Sequence, residues 1–258
     1  MFPTIWLTVL FILAGAAVGS FLNVCIARIP EGLSIVPPPA RGPRCGPPLR
    51  IFDNIPVISF LLLGGKCRDC RERISVRYPL VELLTAVMAW LLFRKFGLTP
   101  AFPVAFLFVC TLIVISFIDL DHQIIPHILT LTGIPVFGAM AVLFTELTAL
   151  DAFLGAMLGA ALLYFVAVYY EALTGREGMG GGDVNLLAML GAFLGWKSLL
   201  FILLVSSFLG ALVGLAFILL KGKDMKYAVP FGPFLCVAAA AYLFFGDRLM
   251  SVISAFPA

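Results

Sequence analysis

Residues 101–127 of this chain read AFPVAFLFVCTLIVISFIDLDHQIIPH, an uncharged apolar run followed at once by Asp119 and Asp121. A helix that crosses a bilayer needs about 20 predominantly apolar residues. The run therefore predicts a membrane span over residues 101–118, with the acids just beyond its end. A second apolar run over residues 124–144 follows and predicts the next span.

The composition of the whole chain supports a membrane protein. Its 258 residues are 62% hydrophobic and 12% charged, with a mean hydropathy of +1.11. Soluble domains average roughly 45–50% apolar and about 25% charged residues. Alternating apolar and polar residues, the signature of a membrane barrel, do not stand out. The sequence therefore predicts an all-α polytopic membrane protein in a lipid bilayer, with no nucleic-acid partner.

The apolar runs predict about eight transmembrane helices and three regions. A first span occupies residues 1–27, a loop domain occupies residues 28–78, and a transmembrane bundle occupies residues 79–258. The first run lacks a positively charged segment before it, so it reads as a retained span and not as a cleaved signal peptide. The predicted spans lie near 5–27, 79–93, 101–118, 124–144, 150–170, 184–196, 198–220 and 228–246.

The distribution of Lys and Arg predicts the orientation in the membrane. The loops that follow spans 1, 3, 5 and 7 hold thirteen of these residues, and the opposite set of loops holds four. Cytoplasmic loops carry the excess of positive charge. The loop domain and the acidic ends of the bundle are therefore predicted to face the cytoplasm, with both termini outside.

The predicted loop domain is rich in proline and cysteine. It contains Cys45, Cys67 and Cys70 among several prolines, a composition that predicts an irregular loop without a notable helix. A segment of this size cannot bury a sufficient core alone. A metal or the membrane domain is therefore expected to hold its shape.

Two groups of carboxylates lie at predicted cytoplasmic ends of spans. Asp119 and Asp121 follow the third span, and Asp183 follows Gly180 and Gly182 at the start of the sixth. Paired carboxylates can perform aspartyl proteolysis, since one activates a water while the other, protonated, polarises the scissile carbonyl. Glycines beside such an acid allow close approach of a peptide backbone. The start of a helix would favour the ionised form of Asp183.

Other interpretations of these acids remain open on the residues alone. Asp183 can be an ordinary helix N-cap, and Asp119 and Asp121 can be solvated acids at the membrane surface. Facing acids also occur as ion-coupling residues of transporters, which usually show internal repeats and broken helices. A noncatalytic assembly protein is a further alternative.

Several ordered motifs resemble one family, the bacterial type IV prepilin peptidases. The matching segments are GSFLNV at 19–24, RIP at 28–30, DNIPVIS at 53–59, GKCRDC at 65–70, RYPLVEL at 77–83, IDLD at 118–121, GGGD at 180–183 and PFGPFL at 230–235.

The resemblance implies an aspartyl endopeptidase with a GxGD-type active site. Asp183 would be one catalytic acid. Asp119 would be the other, because shorter relatives of the family keep a single Asp seven residues before the Pro of this motif. Asp119 stands seven residues before Pro126, while Asp121 stands five before it. Asp121 would then be a supporting acid, beside the supporting Gly180 and Gly182. Proteolysis would need no cofactor.

The implied substrates are prepilins and pseudopilins of type IV pilus and type II secretion systems. Their short basic leader would be cleaved after a Gly at the cytoplasmic face of the bacterial inner membrane. The resemblance also implies N-methylation of the new N-terminus from S-adenosylmethionine. It links that activity to the cytoplasmic loop, here to Gly65 and Lys66.

The chain departs from the family pattern in its loop. The family carries two Cys-x-x-Cys pairs, which suit a four-thiolate zinc site. This chain keeps Cys67 and Cys70. In the other pair, Gly42 stands where the pattern has a cysteine, so only Cys45 remains. Zinc on Cys45, Cys67 and Cys70 would need a fourth ligand; otherwise the three are reduced thiols. His127 and Asn185 also stand where the family usually has an acid and a Lys.

Overall fold

The computed structural model describes residues 2–36, 55–175, 180–221 and 230–255, and this part of the chain is mainly helical. Its helices are α1 (Phe2–Arg28), α2 (Ile58–Leu62), α3 (Arg77–Phe96), α4 (Ala101–His122), α5 (His127–Phe144), α6 (Ala149–Thr174), α7 (Gly181–Leu194), α8 (Ser198–Lys221) and α9 (Gly232–Ala255).

Each predicted span overlaps one of these helices, which confirms the all-α polytopic fold. Among the described residues, five helices are long and apolar enough to cross a membrane, namely α1, α4, α5, α6 and α8. Helix α7 has 14 residues and is a shorter apolar helix, as is residues 232–246 of α9. The exact number of crossings stays a prediction.

The chain divides into two compact units, Met1–Val114 and Ile115–Ala258. In the first unit, α1 packs against α3 through Gly15 and Gly19. A Cβ on Gly15 would stand 2.7 Å from Cβ of Ala89, and one on Gly19 would stand 2.7 Å from Cα of Glu82. Neither glycine tolerates a side chain, so the two backbones approach closely.

In the second unit, α6 packs equally closely against α7. A Cβ on Gly159 would stand 2.6 Å from the carbonyl oxygen of Leu187, and Gly155 and Gly191 face each other's backbone carbonyls. Glycines four residues apart are a common device of membrane helix pairs, because lipid gives no hydrophobic force between helices and packing must supply it. These contacts hold α7, whose residues 186–193 are all buried.

The described part of the predicted loop domain is more ordered than the sequence indicates. Residues 58–62 form the short helix α2, and Lys66 pairs with Arg73 in an antiparallel bridge. The N–H of Cys67 donates to the carbonyl of Glu72 at 2.8 Å, and that of Ile74 donates to the carbonyl of Gly65 at 2.8 Å. Residues 58–74 thus hold one five-residue helix and one isolated bridge among turns, and the domain boundaries stay a prediction.

Candidate active site

Asp119 lies in the last turn of α4 and is held by the start of α9. Its side chain is 5% exposed. The backbone N–H of Gly232 donates to its Oδ2 at 3.1 Å. A buried carboxylate needs such a donor, because an unpaired charge in a low-dielectric site is costly. The PFGPFL segment therefore positions the carboxylate of Asp119.

Ile125 connects the elements around this carboxylate. A Cβ on Gly232 would stand 2.5 Å from Oδ2 of Asp119 and 3.0 Å from Cδ1 of Ile125. A Cβ on Gly182 would stand 2.8 Å from Cβ of Ile125. The buried Ile125 thus packs between the starts of α7 and α9. Gly182 provides space for Ile125, a packing role that the sequence did not indicate.

Asp183 lies in the first turn of α7, ahead of the span predicted at 184–196 and outside the five long apolar helices. Its Oδ1 is buried and has no hydrogen-bond partner within the described residues. Burial, and secondarily the nearby carboxylate of Asp119, raise the pKa of Asp183 to about 6. The helix N-terminus was expected to favour the ionised form, but burial and the second acid outweigh it.

Asp121 and Gly180 lie in more open surroundings. Asp121 is exposed, although it lies only two positions after the buried Asp119. Gly180 is the N-cap of α7 with extended backbone, φ −73° and ψ 144°. A Cβ there would meet nothing closer than 4.0 Å among the described residues. The structure thus brings together Asp119, Asp183 and Gly182, with Gly180 at the edge of the cluster.

His127 and Asn185 form a polar link beside the acids. The side-chain Nδ2 of Asn185 lies 3.1 Å from Nδ1 of His127 in an exposed position. The link joins the first turn of α5 to the first turn of α7. The two departures from the family pattern therefore meet in space, which spacing in the sequence could not show.

The loop residues expected to serve methylation or metal binding form a tight turn. Gly65 has φ +70°, a left-handed conformation that glycine adopts readily, and Lys66 begins the bridge to Arg73. Cys67 is buried and Cys70 is exposed. Cys45 lies outside the described residues. Within those residues, no group of three or more His, Cys, Asp or Glu could hold a metal, so the described thiols alone do not fit zinc.

The helices and the two acids define a class, a polytopic α-helical membrane protein with a buried carboxylate at the end of one helix and a half-buried one nearby at the start of another. Two family models match the chain. Residues 13–96 match the bacterial peptidase A24 N-terminal domain, and residues 106–215 match the type IV leader peptidase family.

Curated proteins extend these matches over most of the chain. A prepilin leader peptidase/N-methyltransferase of Pseudomonas aeruginosa is 38% identical, covering 92% of this chain and 90% of that protein. Proteins with the same name from Myxococcus xanthus (45% identical, 86% of this chain and 66% of that protein) and Aeromonas salmonicida (37% identical, 96% and 93%) also match. No solved structure matches. The chain belongs to the type IV leader peptidase family.

Proposed function

We propose that this chain is a membrane aspartyl endopeptidase that removes the short basic leader of type IV prepilins and pseudopilins, with Asp119 and Asp183 as its catalytic acids. The observation that carries the proposal is the pairing of a buried, hydrogen-bonded Asp119 with a nearby Asp183 whose Oδ1 is unpartnered. The names of the relatives supply the substrate class.

The two acids suit hydrolysis of a peptide bond. Close carboxylates resist double ionisation, so the pair retains one proton and titrates in two steps. The ionised acid takes a proton from a water molecule while the oxygen of that water bonds to the scissile carbonyl carbon. The protonated acid donates to the carbonyl oxygen. Collapse of the adduct breaks the C–N bond. The leaving amine takes the proton that was removed from water, and a hydroxyl of the adduct returns a proton to the other acid.

The proposed substrate chemistry fits the charges of the site. Carboxylates attract a cationic leader, and the prepilin's apolar helix would stay in lipid. The excess of Lys and Arg in the loops on this side supports an active site that faces the cytoplasm, in a bacterial inner membrane. Asp121, exposed at the same end of α4, is assigned a supporting part in attracting the leader.

We infer a second activity, N-methylation of the new amino terminus, because the relatives' names include N-methyltransferase. S-adenosylmethionine would supply the methyl group. The amine, after losing a proton, forms the N–C bond. The S–C bond breaks, and its electron pair stays on sulfur to give S-adenosylhomocysteine. Mass spectrometry of the mature pilin N-terminus tests this activity, and an unmethylated amine would contradict it.

The peptidase proposal is tested by replacing each carboxylate with an amide of the same shape. Asp119→Asn and Asp183→Asn should each remain in the membrane but lose cleavage of a co-expressed prepilin, measured by intact mass. Glu146→Gln, an exposed carboxylate in the loop after α5, is the matched control and should cleave normally. Complete leader removal by either Asp variant would refute the assignment.

The same assay distinguishes the roles of Asp119 and Asp121 at the end of α4. Asp121→Asn should retain cleavage with a loss smaller than about tenfold, because an exposed charge that acts through solvent contributes little. If Asp121→Asn abolished cleavage while Asp119→Asn did not, Asp121 would be the catalytic acid.

A further inference from the structure

The first unit contains a cavity of about 770 Å³ where α1 ends and α3 begins. Its wall comes largely from motifs of the sequence that proteolysis at the paired acids does not use: GSFLNV and RIP towards the end of α1, DNIPVIS and GKCRDC between α1 and α3, and RYPLVEL in α3. Small-molecule sites usually enclose about 300–1,000 Å³. The cavity therefore has the size of a site for a small organic molecule.

Glu82 is the buried acid of this cavity. It lines the wall and is 8% exposed. The backbone N–H of Val57 donates to its Oε2 at 2.7 Å. This bond fixes the carboxylate between the loop and α3. In a partly desolvated wall, a fixed carboxylate attracts a cationic ligand group more strongly than one in water.

Asn23 is a second polar residue of the wall, and hydrogen bonds from its amide nitrogen hold its side chain in place. Nδ2 of Asn23 donates to the carbonyls of Gly19 at 3.3 Å and Tyr78 at 3.1 Å. Its Oδ1 is buried without a hydrogen-bond partner among the described residues. Buried polar atoms without partners are uncommon in folded proteins. The amide oxygen is thus an acceptor beside the cavity that the described fold does not satisfy.

The rest of the wall combines cations and aromatic rings. Arg73 and Arg77 line the cavity together with the aromatic residues Phe21, Phe60 and Tyr78. Guanidinium groups bind carboxylates, and aromatic faces stack on planar bases and attract cations. A ligand that carries a carboxylate, a positive charge and a flat heterocycle would use all three features.

We propose that this cavity binds the methyl donor S-adenosylmethionine, with Glu82 facing its positive charge. The donor's carboxylate suits the arginines of the wall, its ammonium and sulfonium suit the carboxylate of Glu82, and its adenine ring suits the aromatic faces. Gly65 and Lys66, which the resemblance links to methylation, do not line the cavity; they shape the turn whose next residues, Cys67 and Arg68, do. This inference rests on the proposed methyl transfer.

Direct binding to the purified full-length chain tests the site. Equilibrium dialysis with methyl-tritiated S-adenosylmethionine should show saturable binding that S-adenosylhomocysteine displaces. Glu82→Gln should raise the Kd by about tenfold or more, since it removes a charge-assisted interaction while keeping the side-chain shape. Glu72→Gln, an exposed acid of the same loop that does not line the cavity, should bind as the unchanged chain does.

Photolabelling of the unchanged chain with 8-azido-S-adenosylmethionine gives a test that no folding defect can imitate. The label should map to peptides within residues 17–28 or 55–82 and disappear with excess S-adenosylhomocysteine. Labelling confined to other segments, or equal Kd values for Glu82→Gln and Glu72→Gln, would overturn the assignment of the cavity.

Prepilin cleavage, measured in the same preparation, tests the peptidase proposal separately. A chain that cleaves and methylates but is labelled elsewhere would refute only the cavity as the donor site. A chain that cleaves, does not methylate and does not bind the donor would refute both the cavity and the methyltransferase proposal, and leave the peptidase intact.

Discussion

At the scale of single residues, Asp119 and Asp121 show how one turn of helix assigns different surroundings to similar side chains. Residues two apart on an α-helix point about 200° apart. Asp119 is consequently buried against Gly232, and Asp121 is exposed. The position of Asp119 seven residues before Pro126 favoured Asp119 over Asp121 as the proposed catalytic acid. Its burial supports the same proposal.

The raised pKa of Asp183 predicts the pH dependence of cleavage. The pKa of this carboxyl lies at about 6 because of burial and the nearby Asp119. Above that pH the pair loses the proton that polarises the scissile carbonyl. We expect kcat/KM to fall as the pH rises through about 6 and to hold on the acidic side until the second acid protonates. A rate that stays constant from pH 5 to pH 8 would contradict this prediction.

The glycines of the GGGD motif have separable roles. Gly182→Ala should lower the melting temperature, because its Cβ would stand 2.8 Å from Cβ of Ile125. Gly180→Ala should leave the melting temperature unchanged, since no atom of the described residues lies closer than 4.0 Å to a Cβ there and its φ suits any residue.

Cleavage by Gly180→Ala then tests the proposed clearance for the substrate backbone. We expect a folded protein that cleaves more slowly, measured as initial rates on a purified prepilin. Full activity of Gly180→Ala would contradict the proposed clearance and remove Gly180 from the site.

At the scale of elements, the closeness of α6 to α7 supports the geometry of the proposed catalytic site. Gly159→Ala would place its Cβ 2.6 Å from the carbonyl oxygen of Leu187, and a backbone atom cannot rotate away. Overpacking of this kind costs roughly 1–3 kcal/mol. We expect a lower melting temperature in detergent and slower cleavage, because α7 carries Asp183.

Gly214→Ala is the matched control for this prediction. A Cβ on Gly214 in α8 would meet no atom within 4 Å in the part of the chain that the structure describes, and alanine is more favourable than glycine inside a helix. Its melting temperature should not fall. If Gly159→Ala were equally stable, the close approach of α6 to α7 would not be required.

The helices could be predicted from the sequence, whereas the neighbours of the site could not. Apolar runs locate the helices because lipid requires about 20 such residues per crossing. Helix α7 was harder to delimit because Gly195, with φ +80°, ends it after 14 residues. The support of Asp119 by Gly232 joins residues 113 positions apart, and the link between His127 and Asn185 joins residues 58 apart. Such pairings depend on helix packing, which hydropathy does not specify.

At the scale of the whole molecule, the orientation in the membrane is predicted from charge and can be tested at two exposed positions. Thirteen of the Lys and Arg residues fall in the loops predicted to be cytoplasmic, and four fall in the opposite loops. Cys70 lies in the first set and is exposed. Leu98, in the turn between α3 and α4, lies in the second set and is 72% exposed.

A membrane-impermeant maleimide should therefore label these two positions from opposite sides. In a Cys45→Ser background, Cys70 should react in inverted vesicles and not in intact spheroplasts. A chain with Leu98→Cys and Cys70→Ser should show the reverse pattern. Cys25, Cys67, Cys110 and Cys236 are buried and should contribute little label. Because the acids and the loop domain are predicted on one side, labelling of Cys70 from outside would place the proposed leader cleavage on the wrong face of the membrane.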